Sequence, residues 1–352
     1  MRSKITRRDL LKLLAGAAGI GGAAQLSRLL KTPPVEADGS SGNIYLPFIS
    51  RSGPAAGPYD PNPPVQTQRL IFIHHSTGQL WLADNSGQLG LALKNNNYFV
   101  SDTNYGWGPG YTGPGGGTIG DHTDIGNWYD WFLGPYRDTY LAALYQESEQ
   151  HCSYSRLAAN PGGDNAIIMF KSCFPNSNIS GNPTDPPTTG TNPIWSQSAG
   201  SPTYTMANVK GLYNDLLAYF SSRLDKLFIV ITAPPLVQSA TSATSAANAR
   251  AVNTWLVNNW LANYLHKNVA VFDFYNVLTS NGGSTTVNDA GQASGNHHRY
   301  RNNAIEYITN QGSNFSQYGA SSSDSHPTPA GGQKASMEFL PLLNIYYHRW
   351  KL

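Results

Sequence analysis

Four short stretches of the chain are apolar at both odd and even positions: Arg69-Leu70-Ile71-Phe72-Ile73, Ala166-Ile167-Ile168-Met169-Phe170, Leu227-Phe228-Ile229-Val230-Ile231-Thr232 and Val269-Ala270-Val271-Phe272-Asp273-Phe274. A strand with one wet face alternates, whereas one covered on both faces does not, so these runs predict strands inside a parallel sheet. Tyr98-Phe99-Val100-Ser101 is a fifth, weaker run. Between them the period changes to that of a helix. Val209, Leu212, Leu216, Leu217 and Phe220 share one stripe, as do Val252, Leu256, Trp260 and Leu261 within about 246–265. Ala335, Phe339, Leu342 and Leu343 form a last stripe, with Pro329 placed to start the helix. Strands alternating with helices predict a doubly wound α/β sheet with right-handed crossovers and ligands at the carboxyl ends of its strands. Residues 102–127, 174–206 and 279–324 are rich in Gly, Pro, Asn, Ser and Thr and are read as long loops.

The first residues belong to another pattern. Arg2, Lys4 and the pair Arg7-Arg8 precede a weakly apolar, Gly- and Ala-rich stretch to Ala24 that is too short for a stable membrane span. This predicts a twin-arginine export signal over residues 1–37, with Val35-Glu36-Ala37 as one cleavage site and Ala24 as another that would serve, a Pro/Gly/Ser-rich linker over 38–67 and a folded domain over 68–352. The protein is expected to be secreted or on the cell surface, with no stable membrane span once the signal is removed. Seven of the chain's 23 basic residues and two of its 21 acidic ones lie in 1–37, so the remainder is mildly acidic and a nucleic-acid partner is not expected. Two cysteines, Cys152 and Cys173, leave open one disulfide or two free thiols.

The candidate chemistry lies at the two ends of this body. The first strand runs into His74-His75-Ser76-Thr77-Gly78, where a serine at a strand-to-helix turn can raise its Oγ above the sheet. Taken alone, such a serine is more often a helix N-cap. Near the other end, Ser323-Asp324-Ser325-His326-Pro327 offers an imidazole and a carboxylate just ahead of the last helix, the two partners a nucleophilic hydroxyl needs.

This layout resembles the SGNH (GDSL-type) hydrolases, over roughly residues 69–350 and with long insertions. The strand end Ile231-Thr232-Ala233-Pro234-Pro235-Leu236 is similar to theirs as well. The resemblance implies a three-layer, flavodoxin-like parallel sheet with helices on both faces. It implies a catalytic Ser76, Asp324 and His326, with the oxyanion held by the N–H groups of Ser76 and Gly106 and by the amide of Asn176. Three departures stand out: His75 replaces the small residue before the serine, the acid and base are Asp-x-His rather than Asp-x-x-His, and Asn176 lies beyond Pro175. The reaction implied is ester hydrolysis, with an esterified carbohydrate or a small ester as substrate. A non-catalytic cell-surface or carbohydrate-binding protein on the same frame is the alternative, which the departures favour.

Neither His297-His298-Arg299 nor Asp121-His122-Thr123-Asp124 has the spacing of a zinc motif, and no metal or cofactor is expected. Tyr105, Trp107, Tyr111, Trp128, Tyr129, Trp131 and Phe132 crowd the loops. They can stack on sugar rings or pack inward. His75, Trp107 and Trp128 are taken as candidate substrate contacts.

Overall fold

A computed structural model describes residues 59–352. The expected signal peptide, and the expected linker as far as residue 58, lie outside the described residues. Residues 59–67 pack onto the body, where Asn97 donates to the Pro64 carbonyl at 2.9 Å and Asn344 to that of Pro61 at 2.8 Å.

Five strands form one parallel sheet: β1 (Gln68–Ile73), β2 (Tyr98–Thr103), β3 (Ile167–Lys171), β4 (Leu227–Ile231) and β5 (Val269–Phe272), in the order β2-β1-β3-β4-β5. This is the flavodoxin-like order, in which the chain first builds to one side of β1 and then to the other. Both faces are covered, which is why the strands read as unbroken apolar runs. Leu70, Phe72, Ile167 and Met169 pack against α1 (Ser76–Leu82), α2 (Leu89–Asn95) and the last helix, α8 (Pro329–Lys351). Ile71, Ile73, Ile168 and Phe170 pack against α3 (Trp128–Phe132), α4 (Arg137–Gln146), α5 (Met206–Ser222) and α6 (Ala243–Asn258). The fold is therefore a three-layer α/β sandwich, as expected.

Two details differ from the sequence reading. Helix α6 ends at Asn258 rather than near residue 265, because the N–H groups of Asn259 and Trp260 both close on the Trp255 carbonyl. A pair of asparagines, which compete with the helix for hydrogen bonds, stands at that point. The expected loop over 279–324 contains a hairpin, β6 (His297–Arg301) with β7 (Ala304–Ile308), and leads into a second, β8 (Gly319–Ser321) with β9 (Asp324–Pro327). A short helix, α7 (Phe274–Val277), follows β5. Among the described residues no helix is long and apolar enough to cross a membrane.

Helix α8 sets where the chain's end meets its beginning. Its later residues reach the starts of the strands, with Asn344 accepting from the Tyr98 hydroxyl at 2.9 Å and Arg349 donating to the Val269 carbonyl at 2.7 Å. It thus runs opposite to the strands. Its first turn, and the β9 strand that feeds it, stand at the carboxyl edge beside the end of β1.

Candidate active site

The polypeptide leaves β1 through His74 and His75 and enters α1 directly, with extended backbone at His75. No side chain caps the helix; the His75 carbonyl accepts from Gly78 and Gln79. Ser76 is therefore the first helical residue and not an N-cap, so its hydroxyl is left for other partners. His74 is folded away beneath α1, its ring nitrogens 2.9 Å from the His75 carbonyl and 3.0 Å from an Asp102 carboxylate oxygen. Gly78 permits this, because a Cβ there would stand 2.3 Å from the His74 Cβ.

Ser76 Oγ lies 2.9 Å from His326 Nε2, and His326 Nδ1 lies 2.7 Å from Asp324 Oδ1. The acid and the base sit two apart on β9, so alternation places both side chains on one face of the strand. Asp324 Oδ1 accepts from both the backbone N–H and the ring of His326, at 2.9 and 2.7 Å. Those two hydrogen bonds from one residue are how the shorter Asp-x-His spacing closes. Partial burial pushes the Asp324 carboxyl up, but the two His326 N–H bonds and the ring's charge outweigh it and hold it below the usual carboxylate range. An ionised Asp324 can only accept, which places the ring proton on Nδ1 and leaves Nε2 to accept the Ser76 hydroxyl proton. The intervening Ser325 points the other way and accepts from the Val237 N–H at 3.1 Å, fixing the hairpin to the end of β4. Phe174 meets the His326 ring edge-on at 4.9 Å between centroids.

Two of the expected oxyanion donors are committed elsewhere. The Gly106 N–H donates to Asp121 Oδ1 at 2.9 Å. Asn176 is wholly buried; its Nδ2 donates to Asp124 at 2.8 Å and to the Cys173 carbonyl at 3.2 Å, while its Oδ1 accepts from the Ile125 N–H and the Tyr204 hydroxyl. It fastens the loops together and has no hydrogen left for a substrate. The backbone N–H of Ser76 remains, in a first turn whose N–H groups the helix itself does not use.

The aromatic expectations also need correction. Trp107 stacks on Trp131 and bonds Glu147, and Trp128 packs edge-on against Phe170 and donates to Ser172 Oγ at 3.0 Å. Both are buried. His75 is buried too, bonded to the Gly120 carbonyl at 2.6 Å and to Thr123 Oγ1 at 3.0 Å. These three side chains dock the loops and do not line an open surface. Tyr105, stacked on His75 at 3.9 Å and 57% exposed, is the aromatic ring that faces solvent here. Of the histidines weighed as ligands, His297 bonds Glu338, His298 accepts from the Asp273 N–H, and His122 bonds the Gly116 carbonyl.

Sequence reasoning missed the group on the far side of Ser76. Cys173, just past β3, places its Sγ 3.7 Å from Ser76 Oγ and 3.1 Å from Thr77 Oγ1, with Lys171 Nζ 4.0 Å away. The ends of β1 and β3 thus meet at the switch point of the sheet, the position the strand order favours for a ligand. A cysteine closing an apolar run gave no sign of this. Both cysteines are free; Cys152 lies 3.9 Å from His74 Nε2, in another part of the fold.

No protein-family model matches the sequence, and no curated protein matches it. Among solved structures, a family two carbohydrate esterase from Clostridium thermocellum, determined in complex with cellohexaose, is similar with a TM-score of 0.35 and 11% identity. The similarity covers 82% of this chain and 66% of that one, so this chain spans just under two thirds of its length.

Proposed function

We propose that this protein is an exported serine esterase of SGNH type. The observation that carries the reading is the continuous relay from Ser76 Oγ through His326 to Asp324, at 2.9 and 2.7 Å, drawn from the two ends of the folded body. Ser76 Oγ attacks the ester carbonyl while His326 Nε2 takes its proton, and Asp324 holds the ring and offsets the charge it gains. The backbone N–H of Ser76 faces the developing oxyanion. His326 then returns the proton to the departing alcohol, and water repeats the sequence on the acyl-enzyme.

The substrate we favour is an esterified, largely uncharged carbohydrate. An open depression of about 590 Å³ flanks the hairpin that carries Asp324 and His326, lined by Gln238, Ser239, Asn281, Gln317, Ser321 and Ser322 among others, none of them charged. No triad residue lines it, so it would hold a part of the ligand away from the reacting bond. Side chains of this kind suit a ligand rich in hydroxyl groups. Tyr105, stacked on the residue before the serine and largely exposed, is a further candidate contact. Export rests on Arg7-Arg8 and the stretch that follows.

The test is release of acetate from an acetylated polysaccharide, and of p-nitrophenol from its acetate ester, by the chain lacking residues 1–37. Ser76→Ala should abolish both without lowering stability, since the hydroxyl caps no helix. An equally active alanine variant refutes the reading. The commitment of Gly106 and Asn176 favours a second one, a carbohydrate-binding protein without turnover, for which glycan binding would survive Ser76→Ala and no hydrolysis would be found.

A further inference from the structure

Lys171, the last residue of β3, is completely buried, and its ammonium has one ordinary hydrogen bond, to the neighbouring Ser172 carbonyl at 3.2 Å. The other buried lysines are better served. Lys334 lies 2.6 Å from Asp289, Lys226 3.0 Å from Asp164, and Lys210 donates to two carbonyls at 2.9 and 2.8 Å. No described carboxylate comes within 4.0 Å of Lys171. Burial pushes the Lys171 ammonium below its ordinary value, and Cys173 is the group that counters this, so a charged Lys171 depends on a counter-charge at that sulfur.

The neighbour it faces is Cys173 Sγ at 4.0 Å. Around that sulfur stand the Thr77 hydroxyl at 3.1 Å, the Thr77 backbone N–H, the Ser76 hydroxyl at 3.7 Å and the Lys171 ammonium. The Thr77 N–H and the Lys171 ammonium can only donate, and the Thr77 hydroxyl can turn its hydrogen to the sulfur, whereas Ser76 Oγ, its hydrogen directed to His326, stands by as a neighbour. Two fixed donors and one adaptable one suit a thiolate.

We infer that Cys173 and Lys171 form a buried thiolate–ammonium pair in the wall of the Ser76 site, and that Cys173 is a modification site for hydroperoxides and thiol-reactive electrophiles. Burial alone would push the Cys173 thiol up, but the Lys171 charge and the two Thr77 bonds outweigh it and bring it below its ordinary value. Cys152 behaves oppositely, pushed up by burial and by the Asp102 carboxylate. Cys173 is half-buried as a residue, with its sulfur packed among Ser76, Thr77 and Lys171, so only small reagents are expected to modify it. With a hydroperoxide the thiolate sulfur attacks the O–O bond, giving Cys–SOH and an alkoxide or hydroxide that takes a proton from water. Sulfur loses two electrons and the peroxide gains them. The added oxygen has no room between Sγ and Ser76 Oγ, which already touch at 3.7 Å, so oxidation displaces the serine hydroxyl from its place beside His326. Its effect on turnover rests on the nucleophile role proposed for Ser76; the thiolate itself does not.

The test uses the chain lacking residues 1–37, alkylated with iodoacetamide at a series of pH values and read residue by residue by mass spectrometry, with Cys152 as internal reference. An ordinary thiol is only a few per cent ionised at pH 7, and the lower nucleophilicity of an acidic thiolate takes back part of the gain, so Cys173 should react about tenfold faster than an ordinary cysteine there. Its rate should stay nearly level through neutrality, where that of a thiol of ordinary pKa falls tenfold per unit on acidification. Lys171→Met should restore the ordinary pH dependence, and Lys171→Arg, which keeps the charge, should not. A Cys173 rate in the wild type that climbs tenfold per pH unit through neutrality overturns the inference, as does a Lys171→Met profile equal to the wild type's. In a parallel arm, hydrogen peroxide should suppress ester hydrolysis reversibly by a thiol reductant, and Cys173→Ala should resist the same treatment. Level alkylation in a protein that hydrolyses no ester would keep the thiolate pair and discard the esterase.

Discussion

Replacing Asp324 by asparagine separates what the carboxylate does by its shape from what it does by its charge. Both hydrogens from His326 fall on the single oxygen Oδ1, at 2.9 and 2.7 Å. An asparagine can present its carbonyl there and turn its NH₂ outward, so the ring keeps its orientation and its Nδ1 proton. On the proposed mechanism, what is lost is the attraction for the imidazolium that forms when Ser76 gives up its proton. With charge centres about 4 Å apart this is worth about 1 kcal/mol in bulk water and about 4 kcal/mol near a protein surface. The Asp324 side chain is 47% exposed and that of His326 24%, so solvent screens the pair and about 2 kcal/mol is the reasonable figure. That corresponds to about a 30-fold fall in kcat. KM should hardly move, because Asp324 touches the histidine and not the substrate. Initial rates on p-nitrophenyl acetate for the wild type and Asp324→Asn decide it. A loss under about threefold means no imidazolium is stabilised here, and a loss near 10⁴ means the tautomer itself was lost; either result refutes the reasoning from the shared oxygen. Since the folded-state carboxyl lies below its ordinary value, Asp324 stays ionised at all pH values above about 4, and its contribution fades only as pH falls through that lowered value.

Gly78→Ala should destabilise the fold by about 1–3 kcal/mol in urea melts and lower activity as well, because a Cβ 2.3 Å from the His74 Cβ must push α1 and Ser76 with it; an unchanged midpoint would show that α1 does not rest on His74 as described. Burial holds the His298 ring at about 3, well below an ordinary histidine, so the unfolded chain binds a proton that the folded one refuses between about pH 6.5 and 3. Stability contributed at that site is complete above this window and falls on acidification by at most about 1.4 kcal/mol per pH unit. Urea melts at descending pH should show a shallower loss for His298→Gln than for the wild type, and parallel curves would count against a neutral buried ring.

The sheet was legible because each central strand is buried on both sides, a pattern that local hydropathy carries in full. The second pair of strands was not. In β6 the buried residues are His297, His298 and Arg299, which enter the interior only because Glu338, Asp273 and Glu306 meet them. Those partners are supplied by other elements, so the strand itself reads as polar loop. One local sign was present: Asn302 and Asn303 both have positive φ, 51° and 60°, and form the two-residue turn that joins β6 to β7. Asparagine tolerates that conformation better than most residues, so an Asn-Asn pair between two short segments is a hairpin signal.

The same distinction between local and borrowed information runs through the site. Asp324 and His326 could be paired from sequence because their relation is closed within three residues of one strand. Their meeting with Ser76 follows from topology, since a last helix running against the strands returns its start to the edge where β1 ends. The oxyanion donors and the aromatic contacts could not be read this way. Gly106 and Asn176 have the right chemistry, but whether an N–H is free depends on competitors, here Asp121 and Asp124, whose claims are settled by how the loop over 104–127 folds back. Trp107 and Trp128 likewise went to the interior because Trp131, Phe170 and Ser172 were there to receive them. Lys171 reverses the case: hydropathy would place a lysine at the edge of the strand, yet it is completely buried, with the Ser172 carbonyl and the sulfur two residues on beside its side-chain nitrogen. A motif can nominate the groups that react, but availability is a property of the whole set of neighbours, as the prior claims of Asp121 on Gly106 and of Asp124 on Asn176 show here.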